Sequence, residues 1–178
     1  MIKYNSKYWK YPLIFTGYSI ASFIIVGILT VIGINTNTSF MIPFINGFLH
    51  GGLEHLFGNL IFFSLLLIPE INGYNLRQLY FITVVISFLY LPLFFLGLPL
   101  SIGLSGMIYF LAGRFFLSRT KWKKTGITFF SIFTILESVY IMNPDGIGHG
   151  VHLIGLSLSL ITIYSPKTIR YKIFLLPQ

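Results

Sequence analysis

The chain has 178 residues, of which 55% are hydrophobic and only 9% charged, with a formal net charge of +8 and no cysteine. A soluble domain carries about 25% charged residues, so this composition argues for a membrane protein and against a water-soluble globule. The lack of cysteine excludes a disulfide framework and thiolate chemistry.

A membrane helix needs about 20 mostly apolar residues. Six stretches meet that need roughly, and helices are predicted at 12–34, 53–70, 78–98, 105–118, 125–142 and 148–165. The first follows Lys3, Lys7 and Lys10; it is long for the apolar part of a signal peptide and is followed by no clear small-residue cleavage site, so it reads as a retained span. Asn35-Thr36-Asn37-Thr38 ends it, Asn72-Gly73 separates spans two and three, and Pro99 closes span three. A basic run after Leu117 ends span four, and Asn143-Pro144-Asp145-Gly146 separates spans five and six. No internal repeat or low-complexity segment stands out. The predicted architecture is an all-α membrane protein, one six-transmembrane-helix domain over residues 1–178 with short tails.

The basic residues give this bundle a sidedness. Lys3, Lys7 and Lys10 precede span one, Arg77 follows span two, Arg114, Arg119, Lys121, Lys123 and Lys124 lie at or beyond the end of span four, and Lys167, Arg170 and Lys172 follow span six. All fall on one side, which the positive-inside rule makes cytoplasmic. The positive charge is therefore a topology signal with some contact to anionic lipid, and nucleic acid is not an expected partner. The expected location is the cell membrane, with both termini cytoplasmic.

The polar residues of the apolar spans share one depth. His50, His55 and Asn59 lie near the outer end of span two, Ser105 opens span four, and His149 and His152 lie near the outer end of span six. Polar groups in a membrane segment are costly and face a bundle interior or water-filled cavity, so a common depth suggests one site. Span four is short: Ser105 to Leu117 spans roughly 20 Å of helix, against a hydrocarbon core of about 30 Å. The expectation is a water-accessible pocket open to the outer side, with Ser105 at its floor.

A serine hydroxyl is a weak nucleophile until a base takes its proton. His152 is the best-placed base. Gly155 and Ser159 follow it at small-xxx-small spacing, and Gly106 offers a matching thin surface on span four beside Gly103, so the two helices are expected to approach closely. His55 and Asn59 share a helix face four residues apart and supply donors for an oxyanion, joined by the Ser105 N–H at a helix N-terminus. Tyr109, one turn below Ser105, is placed to stack on His152. No carboxylate is read as well placed for a third member, so a Ser–His dyad is expected. Glu137 in span five reads either as lipid-facing or as a partner for a hydroxyl, and His149 as a loop or cap residue.

Three motifs, HGGLEHLFGN on the second helix, GLSG on the fourth and HLIGLSLS on the sixth, together with the six spans and their orientation, resemble the rhomboid intramembrane serine proteases in their minimal six-helix form. The resemblance implies cleavage of substrates in or near their transmembrane segments. It implies Ser105 as nucleophile, His152 as general base, His55 and Asn59 as oxyanion-side residues, Tyr109 beside the catalytic histidine and His50 as a bracing residue. It implies no cofactor and no metal; the partners are transmembrane protein substrates and membrane lipids. The segment 35–49 is shorter than in well-known members and lacks the Trp-Arg pair some carry, and Glu70 stands near the place of an acidic residue at the inner end of the second helix. Other readings compete: a non-catalytic relative that binds membrane segments, a small transporter, or a zinc site built from His149 and His152 with His50 and His55. Glu54-His55 does not form H-E-x-x-H, and zinc would leave Ser105 unexplained.

Overall fold

The computed structural model describes residues 10–32, 53–70, 74, 76–98, 104–118, 123–142 and 149–165. They form six helices and no strand: α1 (Lys10–Val31), α2 (Leu53–Glu70), α3 (Leu76–Phe95), α4 (Ser105–Ser118), α5 (Lys123–Met142) and α6 (His149–Tyr164). The chain is all-helical over the described residues. His50 and Gly103 lie outside them, as do the loop 35–49 and the side chains of Glu54 and Glu70.

Helix α3 stops three residues before the predicted 98. Gly97 takes a positive φ of 93°. Its N–H donates to Phe94 O at 2.9 Å, and the Leu98 N–H reaches back to Leu93 O at 3.1 Å. This is a Schellman cap, which needs a left-handed residue at its centre and hence a glycine.

The short helix α4 is the hub. It packs most extensively on α6 and also touches α2, α3 and α5, while α1 packs on α2. Phe110 and Leu111 of α4 are fully buried, and Met107 nearly so, among Leu79, Ile82 and Ile86 of α3 and Leu158 of α6. A smaller contact joins α1 to α2, where Phe15 and Phe63 meet edge-to-face with ring centroids 5.0 Å apart.

Two contacts fix the register of α4 against α6. A Cβ added to Gly155 would strike the Gly106 carbonyl oxygen, and one added to Gly113 would strike Ser159 Oγ. Because 106 meets 155 and 113 meets 159, the two helices run parallel and close. Further along, Arg114 Nη1 donates to Thr162 Oγ1 at 3.3 Å, and its guanidinium lies 5.5 Å from the Tyr74 ring centroid. Arg114, expected only as a topology charge, is thus also a half-buried packing group.

Beside the apolar core, many large apolar side chains lie on the outer surface and several polar ones are buried. Large apolar side chains face outward on five helices: Leu13 is 73% exposed, Phe62 62%, Phe95 75%, Ile135 63% and Ile161 50%. Ser105, Asn59, Glu137, His149, His152 and Ser159 are buried. Hydroxyls remote from the site mostly bond to their own helix, as Ser19 does to Phe15 O at 3.0 Å and Thr134 to Phe130 O at 2.8 Å. Among the described residues one helix, at Arg77–Phe95, is long and apolar enough to cross a membrane by length and composition, with a mean hydropathy of 1.9 over its best window; Ser105–Leu117 and His149–Tyr164 are shorter apolar helices.

Candidate active site

Ser105 stands at the N-terminus of α4, after Leu104, whose carbonyl accepts the Ile108 N–H at 3.0 Å. The next residue, Gly106, lies under α6: a Cβ there would come within 2.9 Å of Val151 Cγ2 and 3.2 Å of Val151 O. With Gly106 fitted against the turn from Val151 to Gly155, the side chains flanking that contact, Ser105 and His152, come to one place. Both line a single cavity with His55 and Asn59 of α2 and Tyr109 of α4.

That cavity holds about 620 Å³, within the usual range of ligand sites, about 300–1,000 Å³. Its polar groups gather at the Ser105 end. The remainder is apolar, with Phe62 of α2, Phe130 and Phe133 of α5 and Leu117 at the far end of α4. Ser105 is therefore not the floor expected of it. The space continues along α4 to Leu117, about 18 Å at helical rise, walled there by Phe62 of α2, by Gly126, Phe130 and Phe133 of α5 and by Leu156 of α6.

Asn59 is 8% exposed, and its Nδ2 is buried with no hydrogen-bond partner among the described residues. A buried amide donor without an acceptor costs about 1–3 kcal/mol. Here the unpaired donor belongs to a side chain that lines the cavity beside Ser105.

His152 is held from two directions. The Tyr109 ring stacks on it with centroids 4.2 Å apart and planes 2° from parallel. Its Nδ1 lies 2.9 Å from Glu137 Oε2. The same carboxylate oxygen takes His149 Nδ1 at 2.6 Å, and Tyr109 Oη donates to Glu137 Oε1 at 2.7 Å. Tyr140 in turn stacks on His149 at 4.8 Å and 14°.

One expectation is corrected here: a carboxylate does stand against the His152 imidazole, because α5 turns Glu137 inward, toward α4 and α6. Of the two readings of Glu137, the partner of a hydroxyl is the one found, through Tyr109 Oη. His149 is a buried partner of that carboxylate as well as the first residue of α6. Helix positions bring Glu137 to the level of His152 from sequence: it lies five residues before the C-terminal end of α5, about 7.5 Å in, and His152 lies three residues into α6, about 4.5 Å in.

Glu137, His149 and His152 are also the described residues that could ligate a metal, their ligand atoms all falling within 4.8 Å. Two histidines and a glutamate are a donor set found around catalytic zinc. Tetrahedral ligands at zinc distances stand roughly 3.3 Å apart, whereas Nδ1 and Oε2 here are separated by 2.6 and 2.9 Å. Each histidine is hydrogen-bonded to the Glu137 carboxylate, and a metal would have to spread them. This trio also differs from the four-histidine set weighed from sequence.

The Nδ1 contacts fix the chemistry of His152. A carboxylate only accepts, so Nδ1 carries the proton, and Nε2 of a neutral ring is left as the acceptor. A hydroxyl donor in the shared cavity is the partner such a nitrogen would use. Comparison with models of known protein families finds no match, and neither do comparisons with curated proteins and with solved structures.

Proposed function

We propose that this chain is an intramembrane serine endopeptidase of the rhomboid type, with Ser105 as nucleophile and His152 as general base. The observation that carries the reading is the convergence of Ser105, His152, His55 and Asn59, from three helices, at the polar end of one apolar cavity. The unpaired Asn59 Nδ2 adds to it, since an oxyanion hole requires donors that wait for an acceptor.

The membrane setting rests on the apolar outer surface together with the buried polar cluster. An outer surface of Leu, Ile and Phe around buried Ser, His, Glu and Asn is stable where the solvent is lipid and prone to aggregate in water. In this reading all six helices span the membrane, the basic loops and both termini are cytoplasmic, and the site opens to the opposite side. The substrates are transmembrane segments of other proteins, and lipid is the other partner.

The reaction follows from the groups present. Ser105 Oγ attacks the scissile carbonyl carbon as its proton passes to His152 Nε2. The carbonyl π pair moves onto oxygen, where Asn59 Nδ2, His55 and the Ser105 N–H donate to it. Collapse of the intermediate breaks the C–N bond, and His152 returns the proton to the leaving amine. Water from the outer side then attacks the acyl ester, giving its proton to His152, which restores the Ser105 hydroxyl as the acid departs.

The test is reconstitution into liposomes with a single-span substrate whose helix unwinds readily. Cleavage by the native chain, its loss in Ser105→Ala and His152→Ala, and labelling of Ser105 by a fluorophosphonate are the expected results. Cleavage unaffected by Ser105→Ala ends the proposal. Capture of the substrate without cleavage or labelling would instead identify a non-catalytic binder of membrane segments.

A further inference from the structure

We infer that Glu137 is a positioning residue that completes a Ser105–His152–Glu137 relay. This rests on the serine-protease reading and adds a third member to the expected pair. The argument begins with cost. An ionisable side chain within an apolar helix is expensive unless it is bonded, and Glu137 is 5% exposed on a helix that otherwise turns Ile127, Ile132, Ile135 and Val139 outward. Its carboxylate is fully engaged, with Tyr109 on Oε1 and both His149 and His152 on Oε2.

The engagement constrains His152 in every respect its role needs. The Nδ1–H···Oε2 bond sets the tautomer that leaves Nε2 free to accept the serine proton, and it places negative charge beside the imidazolium formed on attack. The ring plane is set by Tyr109, which stacks on His152 and bonds Glu137 through its hydroxyl, so one side chain aligns base and carboxylate together. His149, itself stacked on Tyr140, holds the shared oxygen from the other side. During the cycle the proton moves only between Ser105 Oγ, His152 Nε2 and the leaving amine; Glu137 keeps its hydrogen bond and takes no proton.

The experiment measures kcat and KM on a single-span reporter in proteoliposomes for the native chain, Ser105→Ala, His152→Ala, Glu137→Gln, Glu137→Asp and the Glu137→Gln/His152→Ala pair. Glutamine presents an amide that favours the wrong tautomer, and the expected result is a fall in kcat of roughly 10²–10⁴-fold with KM within about threefold. Aspartate, which keeps the charge one methylene farther back, is expected to recover part of that loss. The double variant should be no slower than His152→Ala alone, since Glu137 acts through that ring. Should Glu137→Gln fail to fold, Glu137→Asp carries the test: a lowered kcat at retained KM supports the relay, and an unchanged kcat overturns it. A Glu137→Gln chain within about threefold of native kcat, while Ser105→Ala is inactive, overturns the relay and leaves the protease reading standing. Losses that multiply in the double variant also overturn the relay, and full activity in Ser105→Ala removes the protease reading itself.

Discussion

Gly155→Ala tests the contact on which the site depends. A Cβ at 155 would sit 3.1 Å from the Gly106 carbonyl carbon and 3.2 Å from the Phe110 nitrogen, and nearer still to the Gly106 carbonyl oxygen. Carbon contacts are comfortable from about 3.5 Å. All three obstacles are backbone, so no side chain can swing aside; α4 and α6 must separate, by on the order of 1 Å at the oxygen. Overpacking of this kind costs about 1–3 kcal/mol, and the better helix propensity of alanine returns at most about 1 kcal/mol. Ser105 and His152 flank this contact on the two helices that part. Misplacing reacting groups by about 1 Å costs roughly 10²-fold in rate. Thermal unfolding in detergent and reporter cleavage in liposomes should therefore both fall. Gly17→Ala is the control, because nothing lies within 4 Å of a Cβ there. It should match or exceed native stability by up to about 1 kcal/mol, with native cleavage. A Gly155→Ala chain as stable and as active as native would refute the reasoning.

Three further outcomes follow from the same geometry. Asn59→Ala removes a buried donor that has no partner among the described residues, so cleavage should fall about 10²–10³-fold while the unfolding temperature holds or rises. Tyr109→Phe keeps the ring on His152 but removes the donor to Glu137 Oε1; a stability loss of about 1.5–3 kcal/mol is expected in thermal unfolding, the range for a hydrogen bond to a charged group. Arg114→Ala loses the contacts to Tyr74 and Thr162, and should cost about 1–2 kcal/mol of stability with little change in kcat, since Arg114 stands about 13 Å along α4 from Ser105.

Apolar runs punctuated by Asn, Gly and Pro made the helices legible to within a few residues. The end of α3 was less so, because the Schellman cap consumes Leu96 to Leu98 although they are as apolar as the helix before them. The members of the site were legible through their shared depth and their spacing, which brought Ser105, His152, His55, Asn59 and Tyr109 to one cavity. Glu137 shares that depth, but the direction it faces was not legible, for a physical reason. Helix periodicity reveals direction only when one face is polar, and α5 shows Ile, Phe, Leu and Val around most of its circumference. Nothing in that pattern says whether residue 137 faces lipid or α4. The same flatness hid the inward turn of Arg114.

The length of α4 connects these observations. At 14 residues it is the shortest of the six described helices, about 21 Å against a hydrocarbon core of about 30 Å. In the proposed membrane reading, a full-length helix in that central position would carry its first residue to the membrane surface, whereas a short one leaves its N-terminus below it, level with residues that lie several positions inside the longer helices around it. Glu137 and His152 occupy such positions, and Gly106, Gly150 and Gly155 remove the side chains that would hold their helices apart. The polar cluster is thus paired within the bundle while apolar residues cover its exterior. Under the proposed protease reading, Ser105 would meet a substrate segment that has left its own helix, in keeping with the preference for easily unwound membrane helices that the rhomboid resemblance implies.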